Sequence, residues 1–130
     1  MDETDALACL AALSQPTRLK AFRHLVMCEP EGIAAGEIAR LVDVPQNTMS
    51  THLAIMAQCG LVRSERRSRS ILYRANLGRF RSLAVFLLQD CCAGRPDVCA
   101  PVMAGIAPSC QPASGAKKTA AARQLQRASR

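Results

Sequence analysis

The sequence predicts a mostly α-helical domain carrying one β-hairpin, and three stretches predict it. Residues 38–61, IARLVDVPQNTMSTHLAIMAQCGL, place two helical apolar periods on either side of a proline-containing turn. Residues 61–74 read as two short strands around an arginine-rich turn. Residues 77–89 return to a helical period with a continuous apolar stripe.

Taken in order, Asp5 to Leu13 reads as a helix with Leu7, Leu10, Ala11 and Leu13 on one side. Ser14 is the expected N-cap, and Pro16 the opening residue, of a second helix. Its apolar positions are Leu19, Phe22, Leu25, Val26 and Met27, and Pro30 and Gly32 end it. Ile33 to Val42 reads as the first helix of a pair, with Ile38, Ala39, Leu41 and Val42 on its apolar face. Asp43-Val44-Pro45 breaks the period, since Pro lacks an N–H yet is tolerated where a helix begins. In the helix that follows, Met49, Leu53 and Met56 recur at spacings of four and three and share one face. Gly60 ends it as a C-terminal cap. Leu61 to Glu65 and Ser70 to Arg74 are the expected strands, with Arg66 to Arg69 as the turn. Leu77 to Gln89 is again helical, and Phe80, Leu83, Ala84, Leu87 and Leu88 form its stripe. With the similarly apolar first helix, that stripe suits a two-fold interface. From Ala93 onward Gly, Pro and Ala dominate and the helix signal fades. Residues 111–130 read as disordered, because few large apolar groups offset chain entropy there.

Opposite Met49, Leu53 and Met56 the second helix of the pair carries Gln46, Asn47, Ser50 and Thr51, all polar and uncharged. Such a face suits base-pair edges, and the arrangement suits a helix-turn-helix laying its second helix in the major groove, the alternative being a solvated amphipathic helix. Gln46 and Asn47 match the N6/N7 edge of adenine, while Ser50 and Thr51 suit base edges or backbone. The hairpin bears Arg63, Arg66, Arg67, Arg69 and Arg74 against Glu65 alone, which reads as a wing gripping phosphate. The helix itself has no Lys or Arg, so phosphate contact falls mainly to Arg63, Arg66, Arg67 and Arg69, the second helix of the chain and the basic tail, with His52 touching phosphate or packing. The expected architecture is a homodimeric winged helix-turn-helix.

The formal net charge is +7 at pH 7, of which Lys117, Lys118, Arg123, Arg127 and Arg130 supply +5, leaving +2 on residues 1–116. A basic tail holds polyanions without sequence preference, or merely solubilises. Aromatics are only 3% of the chain, so the core rests on Leu, Ala, Val, Ile and Met, and so thin a core gains from dimerisation. The opening MDETDALACL lacks the basic start of a secretory signal, and the apolar run Leu83 to Leu88 is too short to cross a bilayer. The expectation is a soluble cytoplasmic protein with no membrane partner. No nucleophile–base pair, carboxylate dyad or phosphate loop is present, so an enzyme is not expected. Seven cysteines, an odd count without a signal, point to reduced thiols, some able to hold soft metals.

Over residues 5–92 the chain resembles the ArsR/SmtB family of metal-sensing winged-helix repressors. LSQPTRLKAFRHL (13–25), VDVPQNTMSTHLAIMAQCGLV (42–62) and the hairpin ending in Tyr73-Arg74 carry the resemblance. It implies a homodimer that binds double-stranded operator DNA of two-fold character and leaves it when inducer binds. Two departures stand out. The family's arsenic sensors carry Cys-x-Cys in the first helix of the helix-turn-helix, and GIAAGEIARL (32–41) has no cysteine. Its zinc sensors use Asp and His on the last helix, and the only histidines here are His24 and His52.

Attention passes to DCCAGRPDVC, residues 90–99. Cys91 and Cys92 diverge by about 100° on a regular helix, so both face one ion only if the helix frays. Gly94 and Pro96 favour such fraying and a return of the chain that brings Cys99 back. Three thiolates without histidine suit trivalent arsenic, as arsenite, or antimony, whereas zinc wants a fourth ligand. The arrangement resembles arsenite-responsive members of the family whose cysteines follow the last helix. No organic cofactor is expected. Thiol redox chemistry, selectivity for methylated arsenite, a metalloid buffer that binds no DNA, and an incidental Cys-Cys pair remain alternatives. Cys110 reads as a spare or capture thiol, and Cys9, Cys28 and Cys59 as buried and inert. The expected division is a DNA-binding and dimerisation domain over 1–92, an inducer-binding extension over 93–110 and a basic tail over 111–130.

Overall fold

Among residues 1–90, 93 and 95–110, which the computed structural model describes, the chain forms six helices and one three-stranded antiparallel sheet. The order is α1 (Glu3–Leu13), α2 (Pro16–Met27), β1 (Ile33–Ala34), α3 (Ala35–Val42), α4 (Gln46–Gln58), β2 (Val62–Arg67), β3 (Ser70–Ala75), α5 (Leu77–Asp90) and α6 (Pro96–Cys110). The expected tail over 111–130 lies outside the described residues.

The helix pair forms where its apolar periods place it. α3 ends on Asp43 in the left-handed conformation (φ 62°, ψ 55°), which an Asp tolerates better than most residues. Val44 N–H donates to Ala39 O at 2.9 Å and Asp43 N–H to Arg40 O at 3.3 Å, so the last carbonyls of α3 are satisfied within the turn. Pro45 then holds the extended conformation that opens α4. At the other end of α4, Gly60 takes φ +87°. Its N–H donates to Ala57 O and the Leu61 N–H to Met56 O, each at 3.0 Å. This is the two-bond C-terminal cap that needs a residue free of Cβ strain. Met49, Leu53 and Met56 are fully buried, as their spacing predicts, together with Leu25, Ile38 and Leu61.

Several boundaries differ from expectation. Ile33 and Ala34 are a strand, not the start of a helix, because they pair with Tyr73 and Leu72 of β3 and complete the sheet order β1-β3-β2. Gln15, not Ser14, caps α2, its side chain accepting from Arg18 N–H at 2.8 Å. Ser14 instead closes α1, its hydroxyl donating to Ala11 O at 2.7 Å. The hairpin is longer than expected. Arg66 and Arg67 belong to β2, Arg67 pairs with Ser70, and the turn narrows to Ser68 and Arg69, with Ser68 at φ 56°. Pro96 to Cys110 is helical where the helix signal was expected to fade. Pro96 sits at the first helical position, where its missing N–H costs nothing, and alanines sustain the turns that follow.

Burial also divides the apolar residues. α1 buries Ala6, Cys9 and Ala12, and leaves Leu7 58% and Leu10 38% exposed. α5 buries Leu83 but leaves Phe80 43% exposed, its ring 5.6 Å from Phe22. Three of the four expected face residues of α1, Leu7, Leu10 and Ala11, thus point away from the core, while on α5 only Phe80 of the expected stripe is exposed.

Replacing Leu53 by Ala removes the central contact beneath α4. The expected cost is about 2–5 kcal/mol of stability, read as a lower urea midpoint.

Candidate nucleic-acid interface

The packing of α4 dictates what it presents. With Met49, Leu53 and Met56 in the core, Gln46, Asn47, Ser50 and Thr51 are all exposed. At about 100° per residue, Asn47 and Thr51 fall opposite the buried ridge, and the exposed Thr48 beside them was missed by sequence reasoning. The same helical spacing would have found it. The first turn of α4 is internally organised. Asn47 Oδ1 accepts from Thr48 N–H at 2.9 Å, and Thr51 Oγ1 donates to Asn47 O at 3.2 Å. Gln46 lies over Gly36 of α3, where an added Cβ would meet its Oε1 at 3.3 Å. A bare backbone there gives the Gln46 amide room.

His52 stands apart from that polar face. It is half-buried on the flank of α4, and its Nδ1 lies 3.3 Å from an Nη of Arg18 in α2. Burial, and then the Arg18 charge, hold its pKa below the ordinary histidine value.

The wing divides its arginines. Arg63, Arg66, Arg67 and Arg69 are exposed, and Arg67 has Glu65 as an ion-pair neighbour at 3.6 Å. Arg74 differs from the phosphate-gripping role expected of it. Its Nε and Nη2 donate to Glu29 Oε2 at 3.0 and 2.8 Å, and its Nη1 reaches Glu65 at 3.4 Å. The Glu29 side chain is only 8% exposed and its other oxygen is buried with no partner among the described residues. Arg74 is therefore the counterion that makes a buried carboxylate tolerable, and it ties β3 to the segment after α2. Only two residues, Gly60 and Leu61, separate the Cys59 cap of α4 from β2, so the cationic hairpin follows directly on the polar helix face.

The cysteines fall into two groups. Cys9, Cys28 and Cys59 are buried, as expected. Cys9 Sγ donates to Cys59 O at 3.4 Å and Cys59 Sγ to Met56 O at 3.2 Å. Burial pushes the Cys9 thiol up, with Cys59 adding to it, and burial likewise raises Cys28, helped by Glu31 and Glu37. Thiols held protonated in this way are poor metal ligands. Cys99 is half-buried on α6, and its Sγ donates to Leu88 O of α5 at 3.5 Å. Cys91 and Cys92 lie outside the described residues. Among the described residues no three His, Cys, Asp or Glu side chains converge on one point. No helix among them is long and apolar enough to cross a membrane.

A helix-turn-helix domain model matches residues 13–65. The HTH-type transcriptional regulator YgaV of Escherichia coli (strain K12) is 38% identical over 71 residues, which cover 52% of this chain and 67% of that protein. An ArsR-like transcriptional regulator from Rhodococcus sp. RHA1 shares the fold with a TM-score of 0.62 at 24% identity, covering 85% of this chain and 96% of that one. NolR from Sinorhizobium fredii aligns with a TM-score of 0.51 at 26% identity, over 65% and 82% of the two chains. The homodimeric winged helix-turn-helix DNA-binding domain Mb0332 from Mycobacterium bovis aligns with a TM-score of 0.55 at 23% identity, over 63% and 74%.

The two kinds of arginine separate in salt titrations of duplex binding. Arg67→Ala weakens binding to any duplex and lowers the salt slope by about one counterion. Arg74→Ala leaves the slope unchanged and lowers the melting temperature instead, because it strands Glu29.

Proposed function

The chain belongs to the ArsR family of winged helix-turn-helix DNA-binding transcriptional regulators, and on that footing we propose that it is a homodimeric repressor released from its operator by trivalent arsenic bound at Cys91, Cys92 and Cys99. Its relatives are regulators of transcription rather than enzymes. Gln46, Asn47, Ser50 and Thr51 read base edges, and Arg63, Arg66, Arg67 and Arg69 hold phosphate. His52 flanks that reading face and joins the contact from its edge.

The observation that carries the inducer assignment is the return of Cys99. α6 starts at Pro96 and brings the Cys99 thiol to 3.5 Å from the Leu88 carbonyl, in the last turn of α5. Cys91 follows that turn in the chain. A sulfur drawn back to this end of α5 supports a three-thiolate site completed by Cys91 and Cys92. Arsenous acid exchanges its three hydroxyls for the sulfurs of three thiols, whose protons leave with the hydroxyls as three waters, and the arsenic is left pyramidal. An all-sulfur set of three suits arsenite, and antimonite by the same chemistry, better than zinc, which seeks four ligands.

Two-fold assembly is supported by the apolar residues the core leaves out. Leu7 and Leu10 on α1, and Leu77, Phe80 and Val85 on α5, are exposed. α1 and α5 are joined by the Arg79–Asp5 ion pair at 3.4 Å, so these residues sit on neighbouring helices. A second copy burying them would put a recognition helix on each side of the axis, as an operator of two-fold character requires.

Gel shifts under reducing conditions, with and without arsenite, test the assignment. Cys91→Ser, Cys92→Ser and Cys99→Ser each keep operator binding and lose release by arsenite. Release that persists in all three variants rejects the site. Changing Leu10 and Phe80 together to Glu converts dimer to monomer in sedimentation velocity and weakens operator binding.

A further inference from the structure

The recognition helix has no Lys or Arg, so its supply of hydrogen-bond donors depends on the state of its other side chains. Thr51 spends its hydroxyl donor within the helix, on Asn47 O. His52 can act as donor or acceptor at either ring nitrogen, and its neighbour decides which. That neighbour is Arg18. A guanidinium has only donors, so the His52 Nδ1 that lies 3.3 Å from its Nη is the accepting nitrogen. The ring is then neutral with its proton on Nε2. Arg18 is itself held, since its Nε donates to Ala12 O at 2.6 Å in the last turn of α1.

We propose that Arg18 is a positioning residue that fixes His52 as an Nε2–H donor, so that α4 meets DNA with one oriented donor on its flank. The inference rests on the reading that α4 enters the groove. Its target is an acceptor on the duplex, guanine N7 or a phosphate oxygen. Burial and the Arg18 charge both disfavour the imidazolium, so the contact is made by a neutral ring. Held at both ends, Arg18 also joins the end of α1 to the middle of α4, so the donor's aim follows the helix that faces the proposed partner subunit.

The test uses the full chain and a duplex selected with it from a random pool. Nitrogen-15 spectra of the His52 ring in the DNA-free protein show Nδ1 unprotonated in the wild type, and a mixture of tautomers in Arg18→Met. In duplex binding, His52→Ala loses about tenfold, the size of one lost hydrogen bond, and Arg18→Met loses a smaller factor, set by the fraction of rings that keep the Nε2 proton. The double variant loses no more than His52→Ala alone. His52→Gln, whose amide nitrogen falls near the Nε2 position, recovers most of the loss. His52→Asn, whose nitrogen falls near Nδ1, does not. Arg18→Gln, a milder change should Arg18→Met misfold, presents an acceptor as well as a donor and also admits the second tautomer. Substituting 7-deazaguanine for guanine, or methylphosphonate for phosphate, one position at a time identifies the acceptor. The substitution that abolishes the difference between wild type and His52→Ala marks it.

Nδ1 found protonated, losses that add in the double variant, or no substitution that abolishes the difference would each overturn the proposal while leaving α4 as the reading helix. A wild-type chain that retains no duplex from the pool would overturn both.

Discussion

The seating of α4 by Met49, Leu53 and Met56 is the constraint from which the interface follows. Three side chains at helical spacing, all without measurable exposure, fix the rotation of the helix about its own axis. Once that rotation is set, Asn47, Thr48 and Thr51 have nowhere to go but outward. The two-bond cap at Gly60 then turns the chain within two residues into β2, so the position of the wing is inherited from the same three contacts. Because methionine adapts its shape to irregular gaps, Leu53 is the stiffest of the three anchors and the one whose loss leaves the least recoverable void.

Charge is divided between the two parts of the interface on physical grounds. A helix lying in a groove that reads bases gains discrimination from paired donors and acceptors, whereas cations there would hold any sequence equally well. α4 carries none, and the nonspecific attraction is placed on the hairpin. Within the hairpin the arginines are not equivalent. Glu65 lies beside Arg67 and Arg74, and Glu29 takes most of the hydrogen-bonding capacity of Arg74. Anchoring the base of the wing therefore consumes one cation and leaves the exposed ones, Arg63 opposite it and Arg66, Arg67 and Arg69 toward the tip, for the proposed phosphate contact.

Much of this is legible in residues 38–61 because apolar spacing and the Pro and Gly punctuation agree there. α5 is legible from its apolar spacing alone, and the hairpin from its two short runs, although its turn is tighter than expected. Most of what escapes the sequence has a common cause, which is that a partner distant in the chain decides it. Ile33 and Ala34 carry no period of their own and become a strand only because Tyr73 and Leu72 offer backbone partners. Arg74 looks like one more phosphate ligand until Glu29 is found beside it. Leu7 and Leu10 look like core until Ala6, Cys9 and Ala12 occupy that role, their small size letting α1 pack closely. α6 is hidden by Pro101, Gly105 and Pro108, which a compositional reading counts against a helix although Pro96 opens one. At the candidate inducer site only Cys99 falls among the described residues, and its contact with Leu88 O, made across two helices, has no signature in spacing.

The proposed release of DNA needs a physical link from the far end of α5 to α4, and Arg79 supplies one. It lies in the first turns of α5, and its Nε donates to Cys59 O, the carbonyl of the residue that caps α4, at 3.0 Å. The same guanidinium pairs with Asp5 of α1 at 3.4 Å. Gly60 adapts to this contact, since a Cβ there would stand 3.0 Å from Arg79 Nε. A shift of α5 along its axis must therefore stretch this bond or carry the end of the recognition helix with it. Arsenic that drew Cys99 and the end of α5 together would act on a helix already fastened to both the α1 face and the α4 cap. Linkage asks for no more than a differential of about 1–3 kcal/mol between the two arrangements, a range one charge-assisted hydrogen bond can span. By reciprocity, bound operator must oppose closure of the thiolate site by the same amount.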